Sequence, residues 1–537
     1  MGTDLVSPEL RAVEREIDSA YLKNPLVKLA FGEAAWYFLA FCEERLILPY
    51  APNQDGGETK NQNAQIALAD EVINHAKWPL RWLKKSCRTG GAIPDEFNDR
   101  MYQASRDLSK LASEYLSFES AFTYASLGLM TLNLEGDRIV PSSTFREDTR
   151  YEAYDRLTDL DGKVDTPVLD LIAELVRDDV RVDGDQFSYP LNPTVVQETL
   201  RRAEPGLSRR FRVPSDWNLA GYSLREFATV SKCLWAISII HFVSRLVAAD
   251  LGCVGRGYSK ALVVMGKDDL IRRINQYTGM AEERIQVLIA DLTYGRGSIQ
   301  SPDLALQPLV NLTDTEVGWA PCLYLNIAVE RNLLVLLNRS ATSRREYSRV
   351  SQQKEQILRS RLMRELRGMG FRFWDGDVTG WSESLDIDLA IISESEKHCL
   401  VLELKSFLAP AEPREIRDRS TEIARGVQQI GTRRNCANRQ PSELCENLQI
   451  SADYCISWGV VSETSIGAGW AQDQSVPVVR AAHLVRQLLE ARQLRPVCEW
   501  LTTRQYLPNE DVNYEVVDIH VQIERWSLDW YGIRGLP

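Results

Sequence analysis

Two short runs carry the residue types that could do chemistry. The first is Leu385-Asp386-Ile387-Asp388-Leu389-Ala390-Ile391-Ile392. The second, beyond a short polar turn at 393–397, is Leu400-Val401-Leu402-Glu403-Leu404-Lys405. Both are dense in branched apolar residues, the composition of strands. Strand side chains alternate faces, so Asp386 and Asp388 share one face of the first run, and Glu403 and Lys405 share one face of the second. A hairpin of the two runs would stand Asp388 beside Glu403. Two carboxylates and an ammonium group on otherwise apolar strands are costly to bury without a purpose. A magnesium or manganese ion supplies one, because hard divalent cations take carboxylate, carbonyl and water ligands. Such an ion lowers the pKa of bound water and stabilises charge on a phosphate. A lysine beside it can orient the attacking water or offset developing negative charge. The chemistry anticipated is metal-dependent hydrolysis of a phosphodiester. The bland alternative is an ordinary hairpin with a solvated charged face.

The elements that must position these residues are legible around them. From Arg344 to Arg367 the chain has eight basic and three acidic residues, with Ile357, Leu358, Leu362 and Leu366 at helical spacing. Gly368 and Gly370 end that pattern. Short β-rich runs follow at Phe371–Trp374, Leu385–Ile392 and Cys399–Leu404, then a polar helix pattern from Pro413 to Arg434. Tyr454–Val461 reads as another strand, and Val476–Val479 leads into a last helix, Ala481–Leu494. This order predicts an α/β domain over 341–495, a mixed sheet flanked by helices. The preceding 340 residues read as a large, mainly α-helical region, divided at 1–190 and 191–340. A loop is expected at 50–63, a polar, turn-rich break at 131–168, and a C-terminal extension over 496–537.

The bulk numbers fit a folded chain. Of 537 residues 44% are hydrophobic and 26% charged, enough apolar mass for large cores. The net charge of −12 argues against a general nucleic-acid coat, though not against a nuclease with local basic patches. Ten cysteines without a CxxC pair, and a start lacking the basic and apolar regions of a signal peptide, point to reduced thiols and a cytoplasmic setting. The most apolar stretch, Leu234–Leu251, is interrupted by His241, Arg245 and Asp250 and is expected as a buried helix, with no membrane contact. The five histidines are scattered, and His241 reads as a satisfied core residue. Neither a GxSxG elbow nor a Walker A loop is present.

At Asp386-Ile-Asp388-Leu, followed fifteen residues after Asp388 by Glu403-Leu-Lys405, the chain resembles the PD-(D/E)xK, or restriction-endonuclease-like, nuclease superfamily. The resemblance covers the last third only. It implies Asp388 as central metal ligand, Glu403 as second ligand aided by the main-chain carbonyl of Leu404, Lys405 as catalytic lysine, and Mg²⁺ or Mn²⁺ as cofactor. Asp386 is then a rival or subsidiary ligand; Asp388 is preferred because the family places Leu or Arg after the metal aspartate. Glu355 matches the family's glutamate on the preceding helix, and Gln428 or Gln429 its glutamine on the following one. The chain departs from the pattern where Leu385 or Ile387 replaces the motif's proline, and where neither glutamine has Tyr four residues on. The implied partner is nucleic acid, DNA before RNA, with dimerisation common in the family. Arg359 of the basic helix, Arg433 and Arg434 are candidate phosphate contacts. Arg201, Arg202, Arg209, Arg210 and Arg212 form a second basic cluster that reads more readily as a solvated loop. The helical region is expected to sense or restrain, and by analogy the architecture suits anti-phage defence. The opposing class is a nuclease-like scaffold that binds without cutting.

Overall fold

A computed structural model describes the chain apart from residues 1–5, 48–61, 143–148, 158–166, 209–210, 212, 220, 297–298, 300, 341–342, 381–385, 411 and 537. Leu385, most of the loop read at 50–63, and Arg209, Arg210 and Arg212 lie outside the described residues. The chain is a mixture of helices and several small sheets, divided into two compact units.

One unit is built from Ala12–Leu116 and Lys163–Arg349 and is mainly helical. Its longest helix, Leu224–Asp250, starts at a capping box in which Ser223 and Glu226 satisfy each other's backbone amides. Among the described residues it is the one helix long and apolar enough to cross a membrane, yet 83% of its most apolar window is buried within the protein. His241 is satisfied there: its two ring nitrogens meet the Tyr189 hydroxyl at 2.7 Å and the Lys260 carbonyl at 2.9 Å. A three-stranded sheet (Val263–Gly266, Glu316–Trp319, Val310–Asn311) is the largest β element of this unit.

The other unit joins Met1–Arg11, Ser117–Gly162 and Val350–Pro537. After the ends of two helices shared with the other unit come β1 (Leu132–Glu135), β2 (Arg138–Pro141) and α1 (Thr149–Leu157). After the other unit come α2 (Lys354–Glu365), β3 (Arg372–Asp377), β4 (Asp386–Ser393), β5 (His398–Lys405) and α3 (Pro413–Arg439). Then follow α4 (Pro441–Leu448), β6 (Cys455–Ser462), β7 (Val478–Arg480), α5 (Ala481–Ala491) and α6 (Leu494–Thr502). The chain closes with β8 (Tyr514–Ile523) and β9 (Trp526–Gly535).

One sheet has the order β3-β4-β5-β6-β7, antiparallel through the first three strands and parallel through the last three. Parallel neighbours need a crossover, and α3 supplies it between β5 and β6. Alternation along β4 and β5 divides the core. Leu389, Ile391, Leu400, Leu402 and Leu404 join Leu358 and Leu362 of α2 and Leu484 and Leu488 of α5. Ala390, Ile392, Cys399 and Val401 join Cys436 and Ala437 of α3 and Leu444 and Leu448 of α4.

The structure departs from the four consecutive segments read along the sequence. Residues 131–168 are no simple break, because β2 pairs in parallel with β9 and Tyr151 and Tyr154 of α1 enter the core of the five-stranded sheet. Nor is 496–537 an appendage: Val497, Cys498 and Leu501 belong to that core, and β8–β9 complete a second sheet of order β1-β2-β9-β8. The basic helix read over 344–367 is two helices, Arg344–Ser351 and α2. The last helix stops at Ala491, where Arg492 turns the chain with φ 52° into α6.

Candidate active site

The residues singled out on β4 and β5 meet at one end of the hairpin. The register runs from Ser393↔His398 to Leu389↔Leu402, and one further step would oppose Asp388 and Glu403. At that step the Leu404 amide donates to Asp388 Oδ2 at 2.7 Å, so the neighbouring strand fixes the aspartate side chain. Glu403 is only 2% exposed. Its Oε1 accepts from Lys405 Nζ at 2.6 Å and its Oε2 accepts from Arg433 Nη1. Lys405 Nζ also donates to Gln429 Oε1 at 3.0 Å and lies 4.0 Å from Glu355 Oε1.

Helix α3 can lie this close because residue 426 has no side chain. A Cβ at Gly426 would stand 3.0 Å from Lys405 Cε and 3.5 Å from Glu403 Cγ. Glycine inside a helix costs about 1 kcal/mol relative to alanine, so close approach offsets a local penalty here.

Burial, and next the Glu403 charge, push the Asp388 carboxyl well above the usual carboxylate range, against the Leu404 amide and Arg433. Burial also raises Glu355; Lys405 opposes that shift, while Glu403, Asp386 and Glu422 add to it. Fully ionised, Asp386, Asp388, Glu403 and Glu355 would face Lys405 and Arg433 with an excess of two negative charges, and the upward shifts of Asp388 and Glu355 show that this charge is costly without a further cation. All these acidic donors are hard oxygens. Donor type and charge therefore fit a divalent cation. Asp388 and Glu403, with Glu355 nearby, are the residues that would hold it. In this conformation both Glu403 oxygens are turned to cations, and among the described residues no three acidic, His or Cys side chains form a ready cation cage.

The other sequence candidates divide. Both glutamines are exposed, and it is Gln429 that reaches Lys405; Gln428 stands one residue earlier on the helix. Asp386 is 60% exposed and pairs with Arg433 Nη2 at 3.0 Å. Leu404 enters through its amide. Arg359 pairs with Asp375 at 2.6 Å and lies 3.5 Å from the Asp388 carbonyl. Arg434 donates to the carbonyl and Oγ of Ser475. Arg433 departs most from its reading as a surface phosphate contact. It is 3% exposed and turned inward, because its position on α3 faces the strand ends.

Three supporting residues escaped the sequence. Gly426 is one. Glu463, just beyond β6, takes Arg361 at 2.9 Å and the Ser406 hydroxyl, and its amide donates to the Lys405 carbonyl at 2.9 Å. Asp155 of α1 accepts from the Ile466 amide at 3.0 Å and from Ser465, and Ala468 N in the same loop donates to Ser420 Oγ of α3 at 2.9 Å. Burial pushes Asp155 up to about 6. A glycine within the α3 pattern was the one available signal; nothing local marks the other two.

Comparison of the chain with protein-family models, with curated proteins and with solved structures finds no match. The functional argument therefore rests on this geometry and on the motif residues.

Proposed function

We propose that the five-stranded sheet carries a Mg²⁺- or Mn²⁺-dependent phosphodiesterase site of PD-(D/E)xK type, acting on nucleic acid and on DNA before RNA. The observation that carries the reading is the joining of Lys405 to Glu403, to Gln429 on the following helix and, at 4.0 Å, to Glu355 on the preceding one. Asp388 is aligned beside them by the Leu404 amide. A spacing motif alone predicts the hairpin; it does not require residues of two flanking helices to meet the same lysine.

The bound ion would supply Lewis-acid polarisation of the phosphate and a more acidic water. The chain's own residues do the rest. The Leu404 amide holds Asp388 in one orientation. Glu403 and Gln429 orient the Lys405 ammonium, which can hold the attacking water or offset charge on a phosphate oxygen. The helical unit is assigned a sensing or restraining role. The test is cleavage of plasmid DNA, with RNA in parallel, in Mg²⁺ or Mn²⁺ by the wild type, Asp388→Ala and Lys405→Ala. Cleavage that survives both substitutions would sink the assignment.

The closed arrangement of Glu403 favours a second reading, a nuclease-like scaffold that no longer cuts. It predicts no Mn²⁺ binding that depends on Asp388.

A further inference from the structure

The cleavage chemistry makes no use of Arg433, yet the protein buries it at the centre of the acidic group. Its Nη1 donates to Glu403 Oε2, its Nη2 to Asp386 Oδ1 at 3.0 Å, and its Nε to the Asp386 carbonyl. We infer that Arg433 is an internal cation that competes with the divalent ion for Glu403 and thereby sets the metal affinity of the site. The inference rests on the metal-site reading above.

Three observations support it. First, both oxygens of Glu403 already face a cation: Lys405 meets one and Arg433 the other. A divalent ion on either oxygen is repelled by the cation already there, and the repulsion eases when one of the two moves off. Lys405 stands with Gln429 and Glu355, whereas two of the three Arg433 bonds go to Asp386. Arg433 therefore keeps a hydrogen-bonded, charged partner when Glu403 turns away, and yields at the lower cost. Second, a backbone amide holds Asp388 where a cation holds Glu403. An entering ion therefore meets no bonded cation on Asp388 comparable to those on Glu403. Third, Gln429 and Arg433 are four residues apart on α3, one turn along the same face. One helix therefore presents the lysine's partner and the competing cation together.

A positive charge within hydrogen-bond distance of a ligand oxygen opposes a second cation on the same carboxylate, most strongly when both are shielded from water. Neutralising it should raise affinity. The experiment is Mn²⁺ titration of the full chain by isothermal calorimetry, comparing wild type, Arg433→Gln, Arg433→Lys and Asp388→Asn. Arg433→Gln is expected to bind Mn²⁺ about tenfold more tightly than wild type. Arg433→Lys should fall between them, since lysine keeps the charge but cannot span Glu403 and Asp386. Damage to the fold weakens binding, so tightening cannot come from misfolding. Affinity in Arg433→Gln equal to or below wild type overturns the inference. Should that variant fail to fold, Arg433→Lys carries the same comparison with the same overturning result. A wild type without Asp388-dependent Mn²⁺ binding is a different failure, because it removes the metal-site reading itself.

Discussion

Each unit buries an arginine among carboxylates, and the two arrangements differ in what they leave over. In the helical unit Arg245 is fully buried and pairs with Glu44. The adjacent Glu43, 1% exposed, accepts the Cys322 amide at 2.9 and 3.2 Å, at the start of helix Pro321–Asn326. Burial pushes Glu43 up to about 7, with Arg245 opposing the shift. Its charge demand is met by a backbone donor and a raised affinity for a proton, so the cluster is closed. In the sheet unit Arg433 is buried too, but two of the carboxylates around it, Asp386 and Glu355, reach solvent. The closed cluster fixes helices; the open one is where the proposed function places another cation. Burial of charge alone distinguishes neither, and the opening of carboxylates to solvent at a strand end does.

The sharpest way to break this comparison is to exchange the expected losses. Lys405→Ala should reduce cleavage about a thousandfold, the upper end for losing one transition-state donor, with thermal unfolding little changed. Arg245→Ala should cost about 3–5 kcal/mol of stability in chemical denaturation, because it leaves buried carboxylates without their partner. If Lys405→Ala unfolds the protein, or Arg245→Ala leaves stability untouched, the assignment of one cluster to chemistry and the other to structure fails.

A smaller effect separates the two properties at one residue. Gly426→Ala should lower cleavage about tenfold by shifting Lys405 a few tenths of an ångström. The same change should leave stability equal or slightly higher, since alanine favours the helix by about 1 kcal/mol. Unfolding midpoints measured beside rates would check both signs.

The smallest effect is acid sensitivity, expected in both units. Burial lowers His75 in the helical unit and His483 in the sheet unit to about 4. His75 meets Ser109 at 2.9 Å and His483 meets the Tyr154 hydroxyl at 3.0 Å. The unfolded chain takes up these protons near pH 6.5 and the folded one does not. Their contribution is thus complete above pH 6.5 and is lost as pH falls toward 4. Asp155, raised to about 6, acts with the opposite sign, since its ionisation costs stability as pH rises from 3.8 through 6. Comparing wild type with His75→Gln and with His483→Gln isolates the histidines. Each variant should show a smaller fall in melting temperature between pH 7 and pH 5, and an unchanged fall would refute it.

What the sequence disclosed follows the range of the interactions involved. Asp388, Glu403 and Lys405 were legible because strand alternation and a short turn are local rules. The choice between Gln428 and Gln429 was not, because one step on a helix turns a side chain by about 100° and the phase of α3 comes from the sheet beneath it. Arg433 was misjudged for the same reason: an arginine on a polar helix gives no sign of which way it faces. Asp155 and the β1–β2 hairpin were invisible as partners of the sheet unit, since they meet Ile466 and β9 across more than 300 residues of chain.

That long return has a consequence for how the protein is made. Synthesis proceeds from the N-terminus, so α1 and β1–β2 leave the ribosome well before the strands they serve. Tyr151, Tyr154 and Asp155 then wait for β6, α5 and the loop at 463–468, and β2 waits for β9 near the last residues described. The sheet unit acquires its full set of contacts only after β9 has been made. A shortened chain from residue 341 onward would lack α1, and a nascent chain halted before β9 would lack the strand that joins β2 to β8.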